Sequence, residues 1–300
     1  MDSRTHDLRL KSHMTQPQAS WQLYYQLIKP GIVYANVMTG VSGYLLASKF
    51  NLKIGQFIAL IIGMSCLIAG SCVANNLIDR GIDKKMERTL NRALVTQQIK
   101  AKTAVMLSAG LIVIGFLVLL KTNKLVVLTG LLSVIFYVVI YGFFKRHSIY
   151  STLVGSLPGA ASLVAGYLAY QNRFNFEAVL LLFIMVSWQM AHFYSIAVYR
   201  LKDYQQAGLP LWPINKGLDS TKLQIKLFIY GFLLVSLIMT ILGYVGYSFL
   251  IAMVIMTAYW LHLAYKDSSN SRQWARKIFI FSLLVLLVMS VMLPVSRLLV

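Results

Sequence analysis

The stretch IGQFIALIIGMSCLIAGSCVANNLIDRGIDKKMERTLNR, residues 54–92, decides the fold class of this chain. Its first part, 54–74, is an uncharged, largely apolar run that matches the ~20 residues a helix needs to cross ~30 Å of hydrocarbon. The run passes directly into a segment crowded with acidic and basic side chains. This order predicts a membrane-spanning helix that carries a polar site at one end.

Similar apolar windows recur along the whole chain, at 32–48, 104–120, 125–144, 150–170, 178–199, 225–244, 247–265 and 278–296. A helix satisfies its own backbone polar groups in lipid, and the sequence has no ten-residue alternating pattern of the kind that barrels show. We therefore predict an all-α polytopic membrane protein with nine transmembrane helices. A cytosolic N-terminal arm (1–30) would precede a single transmembrane domain (31–300).

The composition agrees with a membrane protein and argues against other classes. Hydrophobic residues make up 58% of the 300 residues and charged residues only 12%, whereas soluble domains average about 25% charged residues. The 28 Lys and Arg residues outnumber the 9 Asp and Glu residues, which gives a net charge of +19. A nucleic-acid-binding protein would carry such charge on a solvated surface, so we expect membrane lipid, and no nucleic acid, as the partner.

The basic residues also predict an orientation. Of the 28, 22 fall in the N-terminal arm and in the connections that would share its side of the membrane. Connections rich in Lys and Arg stay in the cytoplasm. We therefore expect the N-terminus and the loops after the second, fourth, sixth and eighth spans to be cytoplasmic, and the C-terminus to lie outside.

The nine acidic residues are concentrated in two places. Five of them fall in the long loops after the second and sixth spans: Asp79, Asp83, Glu87, Asp203 and Asp219. In the first loop, Asn75 and the first three acids recur at every fourth position. On a helix continued beyond the membrane, that spacing predicts one polar ridge.

A second ridge on the same predicted helix is basic and consists of Arg80, Lys84, Arg88 and Arg92. Oxygen ligands hold Mg²⁺, which bridges to phosphate, while Lys and Arg neutralise the remaining phosphate oxygens. The two ridges together indicate a metal–diphosphate site. The alternative is an exposed helix with charge pairs four residues apart, but the amide of Asn75 lies within the membrane and needs a partner there.

The second loop, HFYSIAVYRLKDYQQAGLPLWPINKG (192–217), follows the sixth span directly. It contributes Asp203, which lies between Lys202 and Tyr204. Two acidic helix ends on one side of the membrane, from the second and sixth spans, are expected to clamp the same ion cluster.

Residues 75–92 resemble the first motif of the UbiA-type intramembrane prenyltransferase superfamily, in the form N-x-x-x-D-R-x-I-D-x-x-M-x-R-T-x-x-R that is typical of the protohaem IX farnesyltransferase (haem O synthase) family. Every fixed position is met, by Asn75, Asp79, Arg80, Ile82, Asp83, Met86, Arg88, Thr89 and Arg92. Further matches are KPGI (29–32), YGFFKRHSIYSTLVGSLPGA (141–160), WQMAHFYSIAVYRLKDYQQAGLPLWPI (188–214) and RQWARKIF (272–279).

The chain departs from the wider pattern at several positions. Asn76 stands where the superfamily has Asp, and Tyr199 takes the place of the first carboxylate of its second motif, D-x-x-x-D, which leaves Asp203. Three positions that often hold proline are Ala93, Ala191 and the pair 162–163. The loss of these prolines affects helix kinks more than chemistry, because proline supplies no ligand.

The resemblance implies a UbiA-type helical bundle that transfers a farnesyl group from farnesyl diphosphate to a vinyl group of haem B, with addition of water, giving haem O and diphosphate. It implies the cell (inner or plasma) membrane, Mg²⁺ as cofactor, and a haem A synthase or terminal oxidase as a possible partner. Asp79 and Asp83 would bind Mg²⁺, Asp203 would be a ligand from the second side, and Asn75 would complete the shell. Contacts with diphosphate or haem propionates would come from Arg80, Lys84, Arg88, Arg92, Lys145, Arg146 and Lys202.

His192, in the sixth span, has four readings: a ligand of haem iron, a partner of a propionate, a group acting in the proton and water steps, or a core histidine satisfied by a neighbouring helix. For the whole chain there are two alternatives to the transfer of a farnesyl group to haem B. One is a prenyltransferase for an aromatic quinone precursor. The other is a transporter of an anionic lipid, although transporters place their ionisable residues near the middle of the membrane rather than at one face.

Overall fold

The structure is a computed structural model that describes residues 20–266 and 270–298. Most of the predicted N-terminal arm (1–19), Asp267 and the C-terminal Val300 lie outside the described residues. The described end of the arm forms a short helix, α1 (Ser20–Leu27), which ends just before the first predicted span.

The rest of the described chain consists of helices and short connections. The long helices are α2 (Pro30–Ser48), α3 (Ile54–Ile78), α5 (Ala101–Leu119), α6 (Lys124–Val134) with α7 (Tyr141–His147), α8 (Ser151–Gln171), α9 (Phe176–Tyr199), α12 (Gly217–Ile241), α13 (Tyr247–Tyr265) and α14 (Ser271–Ser296). The short helices are α4 (Arg80–Asp83), α10 (Leu201–Gln206) and α11 (Trp212–Asn215). Residues Ile135–Ile140 form a π-helical segment that joins α6 and α7 into one span.

The helical membrane fold agrees with the prediction. Among the described residues, eight helical spans are long and apolar enough to cross a membrane. The ninth predicted span is α2, which has 19 residues but carries polar side chains such as Asn36 and Thr39 on the side that faces the bundle. Several spans extend beyond their apolar windows; α12 begins at Gly217, eight positions before the predicted window, because its first two turns are polar.

Helix α9 is the centre of the bundle. It packs against α8, α12 and α14, and two-thirds of its most apolar stretch is buried, compared with about a quarter for α5 or α13 at the edge. Asn123 and Asn175 begin α6 and α9 as N-caps, since each side-chain oxygen accepts a hydrogen bond from a backbone N–H at 3.1 Å. These caps fix where the polar turns stop and the spans begin.

Helices α2 and α8 cross at an unusually close approach. A Cβ atom at Gly43 would overlap the carbonyl oxygen of Leu163, and one at Gly166 would overlap the carbonyl oxygen of Gly40. Small residues let helix backbones meet in this way in membranes, where packing rather than water exclusion drives association. This contact holds α2 against the wall of the central cavity.

Helix α8 is continuous through Pro158, which has no N–H to donate within the helix. With its amide oriented to match the surrounding donors and acceptors, Gln189 of α9 donates to the carbonyl of Ser156 at 3.1 Å and accepts from the N–H of Ala160 at 2.8 Å. A side chain from a neighbouring helix thus satisfies backbone groups beside the proline, as helices in lipid require.

Candidate active site

The bundle encloses a cavity of about 700 Å³ between α2, α3, the α6–α7 span, α8, α9 and α14. Most of its wall is apolar or aromatic, as is typical of sites for small molecules. One end is strongly polar, and the residues that line this end are Lys29, Asn75, Asp79, Asp83, Arg88, Arg92 and Lys145.

Asp79 lies where α3 ends and is only 2% exposed. Its Oδ2 atom accepts from the Lys145 Nζ at 2.6 Å, while its Oδ1 atom is buried without a hydrogen-bond partner among the described residues. A buried carboxylate oxygen without a partner is costly, because it has given up its hydration. The free oxygen therefore marks a position that suits a cation.

Asp83, one helical turn further, is equally buried. Its Oδ2 atom accepts from the Arg92 guanidinium at 2.6 Å. The hydroxyl of Thr89 donates to the backbone carbonyl of Asp83 at 2.8 Å and holds the returning loop in place. The two carboxylates of the site are thus each matched with one cation.

Asn75 lies one helical turn before Asp79 and adds its amide to the polar group. Its Oδ1 atom accepts from the Lys29 Nζ at 2.9 Å, and its Nδ2 atom is buried without a partner among the described residues. Lys29 precedes α2 in a left-handed conformation (φ 54°), which a non-glycine residue adopts at a cost, so the surrounding structure imposes it. Burial lowers the pKa of Lys29 to about 8, and the nearby cations Arg92 and Lys145 add to that effect.

The predicted continuous helix through Glu87 is wrong in its second half. The helical path breaks at Asp79, resumes as α4 and stops at Lys84, and Met86 is extended (φ −109°, ψ 126°). Met86 is buried with Ala197 and Leu209, which pulls the chain out of the helix. Glu87 therefore lies in a separate 3₁₀ turn and is exposed, so it leaves the acidic ridge.

The same reversal splits the predicted basic ridge. Arg88 and Arg92 line the cavity, whereas Arg80 and the exposed Lys84 do not. Arg146 is also outside the cavity; its guanidinium donates to the carbonyl of Ile78 at 2.5 Å and supports the end of α3.

The acids and cations of the second loop lie farther from the cavity. Lys202 is exposed, and Asp203 is half-buried, forms no ion pair among the described residues and does not line the cavity, although its neighbour Tyr204 does. Asp219 is on the surface near Lys222, with 3.8 Å between the charged atoms. The structure thus brings together Asn75, Asp79 and Asp83 but leaves Asp203 outside this group.

The π-helical segment places two aromatic rings in the cavity wall. Tyr137 and Tyr141 stack with ring centroids 6.0 Å apart, and the Lys145 Nζ lies 5.9 Å from the centroid of Tyr141. A π-helical turn shifts the side chains that follow it, and such turns are frequent at functional sites. Here the shift directs Lys145 towards Asp79.

Deeper in the cavity, His192 is buried on α9. Its Nδ1 atom is 2.6 Å from the hydroxyl of Ser282, and its ring stacks on Trp188 with centroids 4.8 Å apart. The indole of Trp188 donates to the carbonyl of Ser282 at 2.8 Å. The histidine is therefore fixed between α9 and α14.

Sequence reasoning missed the roles of Lys29 and Ser282. Lys29 had a signal, because a lone lysine directly before Pro30 and an apolar span has to be placed near the membrane boundary. Ser282 had none, because a serine in an apolar helix usually bonds to its own backbone.

Comparison with known proteins identifies the family of this chain. Residues 36–284 match the UbiA prenyltransferase family. The chain belongs to the UbiA prenyltransferase family. Among its curated relatives, the "Protoheme IX farnesyltransferase" of Sodalis glossinidius (strain morsitans) is 42% identical over 278 residues, which cover 91% of this chain and 94% of the relative. The predicted family and the predicted enzyme class, a UbiA-type prenyltransferase, are thereby confirmed.

Solved UbiA structures confirm the fold. A structure of digeranylgeranylglyceryl phosphate synthase superposes with a TM-score of 0.77 at 19% identity, covering 93% of this chain and 99% of that one. A UbiA homologue from Archaeoglobus fulgidus, bound to GPP and Mg²⁺, superposes with a TM-score of 0.65 at 13% identity, covering 93% and 100%.

Proposed function

We propose that this UbiA protein transfers a farnesyl group from farnesyl diphosphate to a vinyl group of haem B, giving haem O and diphosphate. The observation that carries the proposal is the cavity itself, in which two buried carboxylates and four cations stand at one end of a large apolar chamber. A prenyl diphosphate has the same division between a charged head and an apolar tail. The identity to protoheme IX farnesyltransferases over most of the chain favours haem B as the acceptor.

The bonds of the reaction balance without a redox partner. The bond between C1 of the farnesyl chain and its oxygen breaks, and the diphosphate leaves with the electron pair. The terminal carbon of the vinyl group bonds to C1, and the resulting cation on the inner vinyl carbon takes up water and releases a proton. The apolar wall delays that water until the carbon–carbon bond exists.

The acidic residues fit a divalent metal that is held partly by substrate. No three His, Cys, Asp or Glu side chains in residues 20–266 and 270–298 form a metal site by themselves. Mg²⁺ commonly binds through one or two carboxylates plus substrate phosphates, and the unpartnered Oδ1 of Asp79 suits this arrangement. We assign Asp79 and Asp83 to the metal, with Asn75 beside them. When bound, Mg²⁺ would stabilise the charge of the departing diphosphate.

The cations that line the cavity would hold the diphosphate. Lys29, Arg88, Arg92 and Lys145 outnumber the two carboxylates of the site, so these side chains together carry a positive charge that attracts a polyanion. Bidentate Arg and point-charge Lys are both effective phosphate partners. Contact with diphosphate is proposed for these four, and Arg146 is assigned to holding the end of α3. Arg80, Lys84 and Lys202 keep the possible propionate contact as an untested prediction.

The location follows from the charge asymmetry. The chain is a multi-pass membrane protein, and we propose that it lies in the cell (inner or plasma) membrane with the polar end of the cavity on the cytoplasmic side. The proposal is supported by the predicted nine-span topology, in which 22 of the 28 basic residues fall on that side. A haem A synthase or terminal oxidase partner stays a prediction.

The test is an assay of the purified protein in lipid nanodiscs with farnesyl diphosphate, Mg²⁺ and haem B, with products read by mass. Haem O is expected. If 4-hydroxybenzoate is prenylated and haem B is not, the acceptor is an aromatic quinone precursor. If vesicles show uptake of an anionic lipid and no prenylated product forms, the chain is a transporter.

Lys29 should give the reaction a pH dependence. Because its pKa is about 8, the lysine loses its charge as the pH rises through that value. Hydrogen bonds to charged groups contribute about 1.5–3 kcal/mol, and the charged fraction of Lys29 falls about tenfold between pH 7 and pH 9, so kcat/KM for farnesyl diphosphate should fall by roughly five- to tenfold over that range. The measurement is a pH profile of kcat/KM in which the concentration of farnesyl diphosphate is varied and haem B is kept at saturation.

Two controls separate binding from unfolding in that profile. Lys29→Arg keeps its charge and should flatten the alkaline limb. The folded pKa of Lys29 is below that of a free lysine, so the unfolded chain binds more protons above pH 8, and stability should rise with pH as activity falls. An unchanged alkaline limb in Lys29→Arg would remove Lys29 from the diphosphate site.

Asp203 should matter less than the sequence suggests. Because its side chain is half-buried and does not line the cavity, Asp203→Ala should lower turnover by no more than about fivefold, the effect of losing one ion pair near the protein surface. The measurement is turnover beside Asp79→Asn under the same conditions. An equal loss in both variants would assign Asp203 to the metal after all.

A further inference from the structure

The deep wall of the cavity carries a histidine whose two nitrogens are in different situations. His192 lies seven residues before the end of α9, which places it about 10 Å deeper than the polar end at 1.5 Å per residue. It lines the cavity and is 8% exposed.

The hydrogen bonds around Ser282 determine the tautomer of His192. The hydroxyl of Ser282 has one proton, and it donates that proton to the carbonyl of Phe279 at 2.6 Å. The hydroxyl oxygen can therefore only accept from the histidine ring, 2.6 Å away. Nδ1 must carry the ring proton, which leaves Nε2 with a free lone pair.

Nothing in the described part of the chain uses that lone pair. Nε2 has no hydrogen-bond partner among residues 20–266 and 270–298, and the rings nearest the imidazole are apolar: Trp188, Phe193 and Phe279, with centroids 4.8–5.5 Å away. Because His192 lines the cavity, this lone pair is available to a molecule bound there. A core histidine held only for packing would not need a fixed tautomer with an unused acceptor at the cavity wall.

We propose that Nε2 of His192 is an axial ligand of the haem iron when haem B occupies the cavity. The proposal rests on the proposed function, because haem is the acceptor there. Neutral imidazole is a common ligand of haem iron, and a metal-binding histidine characteristically donates its other N–H to a nearby oxygen, as His192 does to Ser282. His192 would hold the iron at the part of the cavity wall formed by α9 and α14.

The tautomer also distinguishes the role of iron ligand from the other roles predicted for His192. A propionate needs a donor, and the neutral ring offers none at Nε2, so propionate contact would require a second proton and hence a positive charge on a ring surrounded by Trp188, Phe193 and Phe279. A general base acting on water would show itself in turnover but leave no signature on the iron of bound haem. The spectrum of the iron therefore decides between these roles.

The experiment titrates the full-length protein in nanodiscs with haem B alone and follows absorption and EPR spectra. The wild-type protein should show a nitrogen-ligated ferric haem. His192→Gly should lose that spectrum, and added imidazole, which fits the vacated space, should restore it. Ser282→Ala keeps the ring but removes its acceptor and should weaken haem binding by about 10–100-fold, the usual effect of losing an outer-shell partner.

His262→Gly is the matched control, since this histidine is exposed on α13 outside the cavity and its loss should leave the spectrum unchanged. A wild-type spectrum from His192→Gly that still forms haem O would overturn the iron ligand and leave the proposed function standing. If the wild-type protein shows a nitrogen-ligated haem but makes no haem O, the iron ligand would stand and the proposed function would be overturned. If His192→Gly fails to fold, the Ser282→Ala variant gives the test. An affinity for haem B and a haem spectrum that both match those of the wild-type protein would then count against His192 as the iron ligand.

Discussion

Asp79→Asn and Asp83→Asn should each lower turnover by about 10³-fold, the scale at which loss of one electrostatic group at a reacting centre is felt. Both carboxylates are buried at the polar end of the cavity, and asparagine keeps their size while removing the charge that would hold a divalent metal. The measurement is haem O formed per enzyme per minute at saturating substrate and Mg²⁺, read by mass.

A double variant separates this effect from loss of structure. Asp79→Asn leaves the ammonium of Lys145 without its partner at 2.6 Å, and an uncompensated charge at a partly buried position is destabilising. Adding Lys145→Met should return the unfolding temperature towards that of the wild-type protein without returning activity. Glu87→Gln is the matched control, because Glu87 belongs to the same sequence ridge but is exposed, and it should be silent. Wild-type turnover in Asp79→Asn or Asp83→Asn would remove that residue from the metal site.

Among the glycine-to-alanine substitutions in the bundle, Gly166→Ala should lower the stability most. The new Cβ would overlap the backbone carbonyl of Gly40, and no side-chain rotation can relieve a clash with backbone. Overpacking of this kind costs about 1–3 kcal/mol or more, which for a chain of this size corresponds to a fall of roughly 2–10 °C in unfolding temperature. The measurement is the fraction of monodisperse protein left after heating in detergent.

The same substitution at another glycine gives the control. Gly110 lies within α5, and a Cβ there would meet nothing within 4 Å. Alanine favours a helix over glycine by up to about 1 kcal/mol, so Gly110→Ala should be neutral or stabilising. Equal unfolding temperatures for Gly166→Ala and the wild-type protein would show that α2 and α8 do not depend on this backbone contact.

The sequence predicted the spans and the acidic residues of the site for local reasons. A run of about twenty apolar residues has few options in a membrane, and a four-residue repeat on a helix places Asn75, Asp79 and Asp83 on one side whatever surrounds them. The structure brings these three together at the polar end of the cavity.

What the sequence could not supply depends on contacts between distant segments. The chain leaves the helix after Lys84 because Met86 is buried against residues more than a hundred positions away, and this reversal separates Arg92 from Arg80. Lys29 meets Asn75 across 46 positions, and His192 meets Ser282 across 90. Periodicity carries no information about such pairs.

The ion pairs of the site also govern how its ligands influence one another. Asp79 and Asp83 are each paired with a counter-ion, Lys145 and Arg92 respectively. A divalent ion arriving alone would strand these two cations, and a polyanion arriving alone would strand the two carboxylates. When the metal and the diphosphate bind together, the carboxylates pair with the metal, and Lys145 and Arg92 pair with the diphosphate, so that no charge is left without an opposite partner. Metal and diphosphate should therefore show heterotropic cooperativity, each raising the affinity of the other by the same factor, and the resting enzyme should ignore the free Mg²⁺ of its surroundings.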